Sequence, residues 1–251
     1  MEMFDLKGKT AVVTGASAGI GKAIAVGLAK AGADLVCVAR RDCRETGEEI
    51  RRLGRQSLEI SADISDMSVF DGIIEKTVEK FGKIDILVNN AGTIRREDAI
   101  RFSEKNWDDV VNLNLKNLFF FSQKVASQFI KQKTGGKIIN IASMLSYQGG
   151  IRVVSYTAAK SGVMGITKAM ANEWARYGIH VNAIAPGYVC TDNTAELREN
   201  KERYREILER IPAGRWAEPE DMQGAAVFLA SAASDYVDGC TIPVDGGWLA
   251  R

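Results

Sequence analysis

The sequence predicts an α/β fold: a single doubly wound domain in which a parallel sheet of seven strands carries helices on both faces. Two observations point there. Short β-branched or apolar runs alternate with helix-length segments along the chain, the pattern of parallel strands joined by crossover helices. Several runs are apolar at nearly every position instead of alternating in and out, as strands covered on both faces must be. With 251 residues the chain has room for one large domain of this kind. No linker, low-complexity stretch or solenoid-length repeat divides it.

Residues 10–14, Thr-Ala-Val-Val-Thr, read as the first strand, which Gly15 stops. Beyond Gly21, Ile24 and Leu28 recur at helical spacing among alanines, so a helix follows directly. Further strands are expected at 35–38, 58–60, 86–88, 137–141, 181–185 and 241–244, with helices around 45–53, 66–81, 104–133, 155–177 and 219–232. One stretch, 188–218, lacks a sheet element. It holds a charged helical segment at 199–210 and then Ile211-Pro212-Ala213-Gly214. Because it leaves the end of a strand, where an open α/β sheet has its ligand crevice, a substrate lid is expected there. The run Leu118-Phe119-Phe120-Phe121 reads equally as core packing or as a subunit contact.

Composition removes several functions. Lys and Arg number 33 against 32 Asp and Glu, a formal net charge of +1, which leaves no basic excess for nucleic acid. The one histidine, His180, cannot build a three-histidine metal centre; it is expected to begin a buried strand or to cap the preceding turn, and is assigned no chemistry. Cys37, Cys43, Cys190 and Cys240 never approach CxxC spacing, so reduced, structural thiols are expected and no metal site is read. No run reaches the roughly 18 apolar residues of a membrane span, and the start MEMFDLKGKT has no signal-like apolar core. The expectation is a cytoplasmic protein.

Chemistry gathers at the ends of strands. Thr14-Gly15-Ala16-Ser17-Ala18-Gly19-Ile20-Gly21 joins the first strand to the first helix. Glycines there let the backbone turn sharply and approach a pyrophosphate, which exposed N–H groups and the helix dipole stabilise. The G-x-x-x-G-x-G spacing is neither the common G-x-G-x-x-G nor a P-loop, yet its strand–turn–helix setting makes a Rossmann-like anion seat. Asp63, Asn89-Asn90-Ala91-Gly92 and Ser143 close the third, fourth and fifth strands, and carboxyl ends of strands share one crevice. The second strand ends in Arg40-Arg41, with no carboxylate to grip a ribose 2′-hydroxyl. Arg40 suits a 2′-phosphate, so NADP(H) is favoured, with NAD(H) the alternative.

Tyr156 and Lys160 stand four apart at the opening of a predicted helix, hence on one face. A phenol, with a pKa of about 10, is a poor base at neutral pH unless a nearby ammonium stabilises the phenolate, and Lys160 is placed to do so. Tyr156 could then give a proton to a carbonyl oxygen or take one from an alcohol, with Ser143 hydrogen-bonding the same oxygen. Such a set supports hydride transfer without histidine or metal.

These motifs resemble the short-chain dehydrogenase/reductase family. TGASAGIG, NNAG, Ser143 with Tyr156-x-x-x-Lys160, and Pro186-Gly187-x-x-x-Thr191 follow the family's order over essentially the whole chain. The resemblance implies one dinucleotide-binding and catalytic domain over 1–251, usually assembled as a homotetramer. It implies catalytic roles for Ser143, Tyr156, Lys160 and Asn114, the last holding a water in the proton path from the lysine. It further implies cofactor contacts from Gly15, Ser17, Gly19, Ile20 and Gly21, from Asp63 and Ile64 at the adenine, and from Asn90, Ala91 and Gly92 near the cofactor ribose. Pro186, Gly187, Val189 and Thr191 are implied at the nicotinamide end, besides Tyr156 and Lys160.

Within that family, Ile94-Arg95-Arg96-Glu97-Asp98, IASMLSYQGGIRVVSYTAAKSGVMG, ERIPAGRW and DGGWLAR resemble the group acting on deoxy-hexonate sugar acids of the 2-dehydro-3-deoxy-D-gluconate or 2-deoxy-D-gluconate type. Arg40 has no counterpart in that group's NAD-associated members. A sugar acid brings a carboxylate that should meet a cation. Arg152, on the stretch between Ser143 and Tyr156, is the leading candidate, ahead of Arg95, Arg96, Arg215 and Arg251. The competing readings are a ketoreductase of 3-ketoacyl thioesters or small ketones, and a non-catalytic nucleotide sensor or scaffold.

Overall fold

The computed structural model describes residues 2–251. Seven strands, β1 (Thr10–Thr14), β2 (Asp34–Ala39), β3 (Ser57–Ser61), β4 (Ile86–Asn89), β5 (Gly136–Ile141), β6 (Ile179–Pro186) and β7 (Thr241–Val244), form one sheet in the order β3-β2-β1-β4-β5-β6-β7. Every pairing is parallel. The chain steps outward from β1 to β3, returns to lay β4 on the other side of β1, and continues to β7. The winding therefore reverses between β1 and β4, where a crevice opens outside the strands' carboxyl ends.

The continuous apolar runs follow from helices on both faces. Within β1, Ala11 and Val13 pack on one side with Leu35, Cys37, Ile24 and Leu28, while Val12 packs on the other with Val36, Phe70 and Phe121. α1 (Gly19–Lys30), α2 (Arg44–Arg52) and α9 (Gln223–Ala230) cover the first side. α3 (Phe70–Phe81), α5 (Leu118–Gln132) and α6 (Val154–Trp174) cover the second, where the rings of Phe70 and Phe121 meet at 4.9 Å. Of the 118–121 run, Leu118 and Phe121 are buried in the core, whereas Phe120 is turned outward.

The expected helix at 104–133 is α4 (Glu104–Val111) and α5 joined through a π-helical turn, Asn112–Asn117. The stretch 188–218 contains a 3₁₀ turn at Asp192–Thr194, then α7 (Ala195–Glu199) and α8 (Lys201–Arg210). It stands on a narrow neck, since Cys190 N donates to Ala217 O at 2.8 Å and Ala217 N to Tyr188 O at 2.9 Å. Tyr188 packs edge-on against Trp248 at 4.8 Å and lies 5.2 Å from Trp216, so aromatic contacts fasten the excursion to the C-terminal segment.

His180 is the second residue of β6, and its Nδ1 lies 3.1 Å from an Asp238 oxygen, away from the strands' carboxyl ends. Burial pushes the Cys37 thiol up to about 12 and Cys43 to about 11, consistent with structural, protonated thiols. Among the described residues, no helix is long and apolar enough to cross a membrane, and no cluster of side chains could hold a metal ion.

Candidate active site

The glycine-rich turn is built by close approach. Gly15 leaves β1 at φ 68° and Gly19 enters α1 at φ 55°, in the left-handed region that side chains disfavour. A Cβ on Gly15 would lie 2.7 Å from Asn90 Nδ2, and one on Gly21 would collide with the Gly15 carbonyl. Asn90 explains this tightness: its Nδ2 donates to Thr14 O at 3.0 Å and Gly15 O at 3.2 Å, while Thr14 Oγ1 accepts from the backbone N–H of both Asn90 and Ala91 at 3.0 Å. Ala18, the residue capping α1, offers no side-chain acceptor, so the first turn's N–H groups face the crevice without a cap.

A crevice of about 390 Å³ brings Gly15, Ser17, Gly19, Ile20, Gly21, Arg40, Asp63, Ile64, Asn90, Ala91, Gly92 and Thr191 together, as expected for cofactor contacts. Pro186, Gly187 and Val189 lie outside its lining, at the end of β6 and in the neck. Arg40 is 72% exposed, with Asp63 only 3.8 Å from its guanidinium. Arg41, which sequence reasoning passed over, also lines the crevice and reaches across its mouth to Asp192 at 3.3 Å. The doublet Arg40-Arg41 was the available signal. A glycine cradle ending in two guanidiniums fits a dinucleotide that carries a 2′-phosphate.

Beyond this crevice lie the groups suited to proton transfer. Ser143 leaves β5 and caps a 3₁₀ turn, Met144–Ser146, its Oγ accepting from Leu145 N at 3.1 Å. Ser146 Oγ accepts from Ser143 N at 3.3 Å and donates to Lys160 O at 2.6 Å, which locks the serine turn to α6. Lys160 Nζ lies 5.6 Å from the centroid of the Tyr156 ring, so the two share one face of α6. Lys160 is buried, its Nζ donates to Ile141 O at 2.5 Å, and desolvation lowers it to about 8.

The phenol of Tyr156 behaves differently from the expectation. Burial raises it above the ordinary tyrosine value, opposed by a Ser143 hydrogen bond and by the charge of Arg96, with no lowering contribution from Lys160. Desolvation outweighs both. Asn114, fully buried in the π-helical turn, accepts from Thr93 N and donates to Thr93 O, both at 2.8 Å. Its carboxamide thus anchors the segment after β4.

The five candidate carboxylate partners have different surroundings. Arg152 has φ 63°, and its side chain is 57% exposed with Nε 3.1 Å from Asp98 Oδ1. It forms a surface ion pair with the segment after β4. Arg95 faces Asp109 at 3.5 Å, and Arg215 holds Asp221 at 2.7 Å. Arg251 is exposed, 3.4 Å from Glu209 O. Arg96, 25% exposed, reaches the start of 188–218, where its Nη2 donates to Asn193 O at 3.0 Å.

A family model described as enoyl-(acyl carrier protein) reductase matches residues 15–249. A 2-dehydro-3-deoxy-D-gluconate 5-dehydrogenase of Dickeya dadantii (strain 3937) is 64% identical over 251 residues, covering 100% of this chain and 99% of its own length. A solved gluconate 5-dehydrogenase from Burkholderia cenocepacia J2315, in complex with NADP and tartrate, matches with a TM-score of 0.94 at 38% identity, covering 99% of this chain and 98% of that one. A short-chain type dehydrogenase/reductase from Mycobacterium marinum matches with a TM-score of 0.95 at 34% identity, covering 100% and 99%.

Proposed function

The chain belongs to the short-chain dehydrogenase/reductase family, and on that premise we propose that it interconverts a secondary alcohol and a ketone on a deoxy-hexonate sugar acid, using NADP(H). The substrate is of the 2-dehydro-3-deoxy-D-gluconate or 2-deoxy-D-gluconate type. The observation that carries this reading is a buried lysine 5.6 Å from a tyrosine ring, beside a strand-end serine and a glycine-cradled crevice, in a chain 64% identical to a dehydrogenase of that substrate. NADP bound in the Burkholderia relative supports the cofactor.

When bound, the nicotinamide supplies or accepts the hydride. Ser143 Oγ accepts from Leu145 N and its hydroxyl is hydrogen-bonded with the Tyr156 phenol, so an incoming substrate oxygen would take over the serine's proton beside that phenol. Tyr156, whose phenol is raised by burial, keeps its proton until negative charge develops on that oxygen, then donates it. In the oxidative direction the phenol must first lose its own proton, and Lys160, 5.6 Å from the ring, is proposed to stabilise the phenolate once its Nζ turns from the Ile141 carbonyl. Asn114 acts as a positioning residue through Thr93; with its carboxamide so engaged, a water held toward Lys160 would meet its main chain.

The stretch 188–218 is proposed as the substrate lid, moving on the neck at Cys190 and Ala217. A cytoplasmic homotetramer is proposed as well, supported by Trp107 and Phe120, aromatic side chains 39% and 38% exposed along α4–α5. Turnover of a panel of keto-sugar acids and a 3-ketoacyl thioester, each with NADPH and NADH, tests the function. Turnover of the sugar acids with NADPH is expected. Reduction of the thioester alone, or of no compound, would contradict it.

A further inference from the structure

We propose that Asp192, at the start of the 188–218 stretch, competes with the cofactor's 2′-phosphate for Arg41 and so sets how far NADP(H) is preferred over NAD(H). This rests on the NADP(H) reading above and names the residue that opposes it.

The two guanidiniums at the end of β2 are held differently. Arg40 lies 3.8 Å from Asp63 Oδ2, beyond hydrogen-bond distance, and the other oxygen of that carboxylate accepts from Ser65 N at 2.9 Å. Arg40 is therefore nearly free to meet a phosphate. Arg41 is committed: its Nη1 donates to Asp192 Oδ2 at 3.3 Å, across 151 residues of sequence. Among the described residues, Arg41 is the one hydrogen-bond partner of the Asp192 carboxylate. Arg40, Arg41, Asp63 and Asp192 all line the dinucleotide crevice, so the pairs stand where the cofactor must lie.

The exchange is physically easy. The side chains of Arg41 and Asp192 are 77% and 82% exposed, and an ion pair so open to water contributes little. A 2′-phosphate carries close to two negative charges at neutral pH and can accept from two nitrogens of one guanidinium, so it takes Arg41 from the carboxylate. Asp192 then stands unpaired beside a new anion and repels it. NAD(H), with a hydroxyl at that place, leaves the Arg41–Asp192 pair intact and meets no such repulsion. One carboxylate thus acts against NADP(H) alone. Asp192 also opens the 3₁₀ turn that Thr191 caps, and a Cβ on Gly19 would meet Thr191 Cγ2 at 3.3 Å. The exchange therefore takes place where the 188–218 stretch adjoins the glycine-rich turn.

Calorimetric titration with NADPH and with NADH, on protein without substrate, tests the assignment. Asp192→Asn should tighten NADPH binding by about 3- to 10-fold at low salt, the scale of removing one exposed charge beside a dianion, and leave NADH binding unchanged. The gain should shrink in about 1 M salt, where the screening length falls to about 3 Å. Arg41→Ala should weaken NADPH binding alone, and in that background Asp192→Asn should gain less than in the parent. Weaker NADPH binding by Asp192→Asn would make the pair a clasp on the cofactor instead of a competitor, and would overturn the assignment. Equal gains for both dinucleotides, or no gain, would overturn it as well. A parent that binds NADH but not NADPH would overturn the cofactor reading with it, whereas a parent that binds NADPH with an indifferent Asp192 overturns this inference alone.

Discussion

Tyr156 and Lys160 were legible because helical geometry is local: a separation of four residues places two side chains on one face wherever the helix sits. What spacing could not give is where each polar group finds its partner. Lys160 points at Ile141 O, 19 residues back, and its burial lowers its affinity for a proton to about 8. In the unfolded chain the same lysine holds its proton until about 10.4. Between those values the unfolded state binds more protons, so stability rises with pH through that window; below it, the folded state carries the full penalty of a buried ammonium. Lys160→Met should abolish this rise, worth about 3 kcal/mol at one pKa unit per 1.36 kcal/mol, and should also abolish turnover. Denaturant melts of both proteins from pH 7 to 11 check it; parallel pH profiles would contradict it. Arg152's ion pair with Asp98 was hidden for the complementary reason: it depends on how two loops pass each other, which sequence proximity to Ser143 does not reveal.

At the scale of elements, the strand–turn–helix unit carrying the glycines was readable from Gly15, Gly19 and Gly21 alone. Its reinforcement by Asn90 was not, because Thr14 and Asn90 lie 76 residues apart. The π-helical turn was equally hidden, since the apolar pattern from 104 to 133 runs through it without a break. Yet that turn is what carries Asn114 to Thr93 and so sets the segment leading to Arg96. Packing of the glycine turn makes a direct prediction. Gly21→Ala puts a methyl group into the Gly15 carbonyl and the Asn90 carboxamide, both held by the clamp. A cost of about 2 kcal/mol is expected for forced overpacking. The variant should melt several degrees lower, at about 2–4 °C per kcal/mol in a chain this long, and should bind NADPH more weakly. Unchanged melting and affinity in calorimetry would show that the turn is slack.

For the whole molecule, alternation of strand and helix was enough to foresee a seven-stranded parallel sheet and a crevice at its carboxyl edge. Sheet order and the meeting of distant segments depend on tertiary packing. The aromatic seat formed by Tyr188, Trp216 and Trp248 joins parts of the chain that no local pattern relates. At this scale the start of the 188–218 stretch is tied to the body from two sides, by Arg41 to Asp192 and by Arg96 to Asn193. The proposed function turns on one transfer, a proton through the Tyr156 phenol. The most direct measurement is NADP⁺-dependent oxidation of a deoxy-hexonate by the parent enzyme and by Tyr156→Phe, with NADPH affinity measured on both. The account predicts a loss of turnover of about 10²- to 10⁴-fold, the usual share of a general acid–base, with cofactor affinity kept. Turnover by the phenylalanine variant at the parental rate would contradict it.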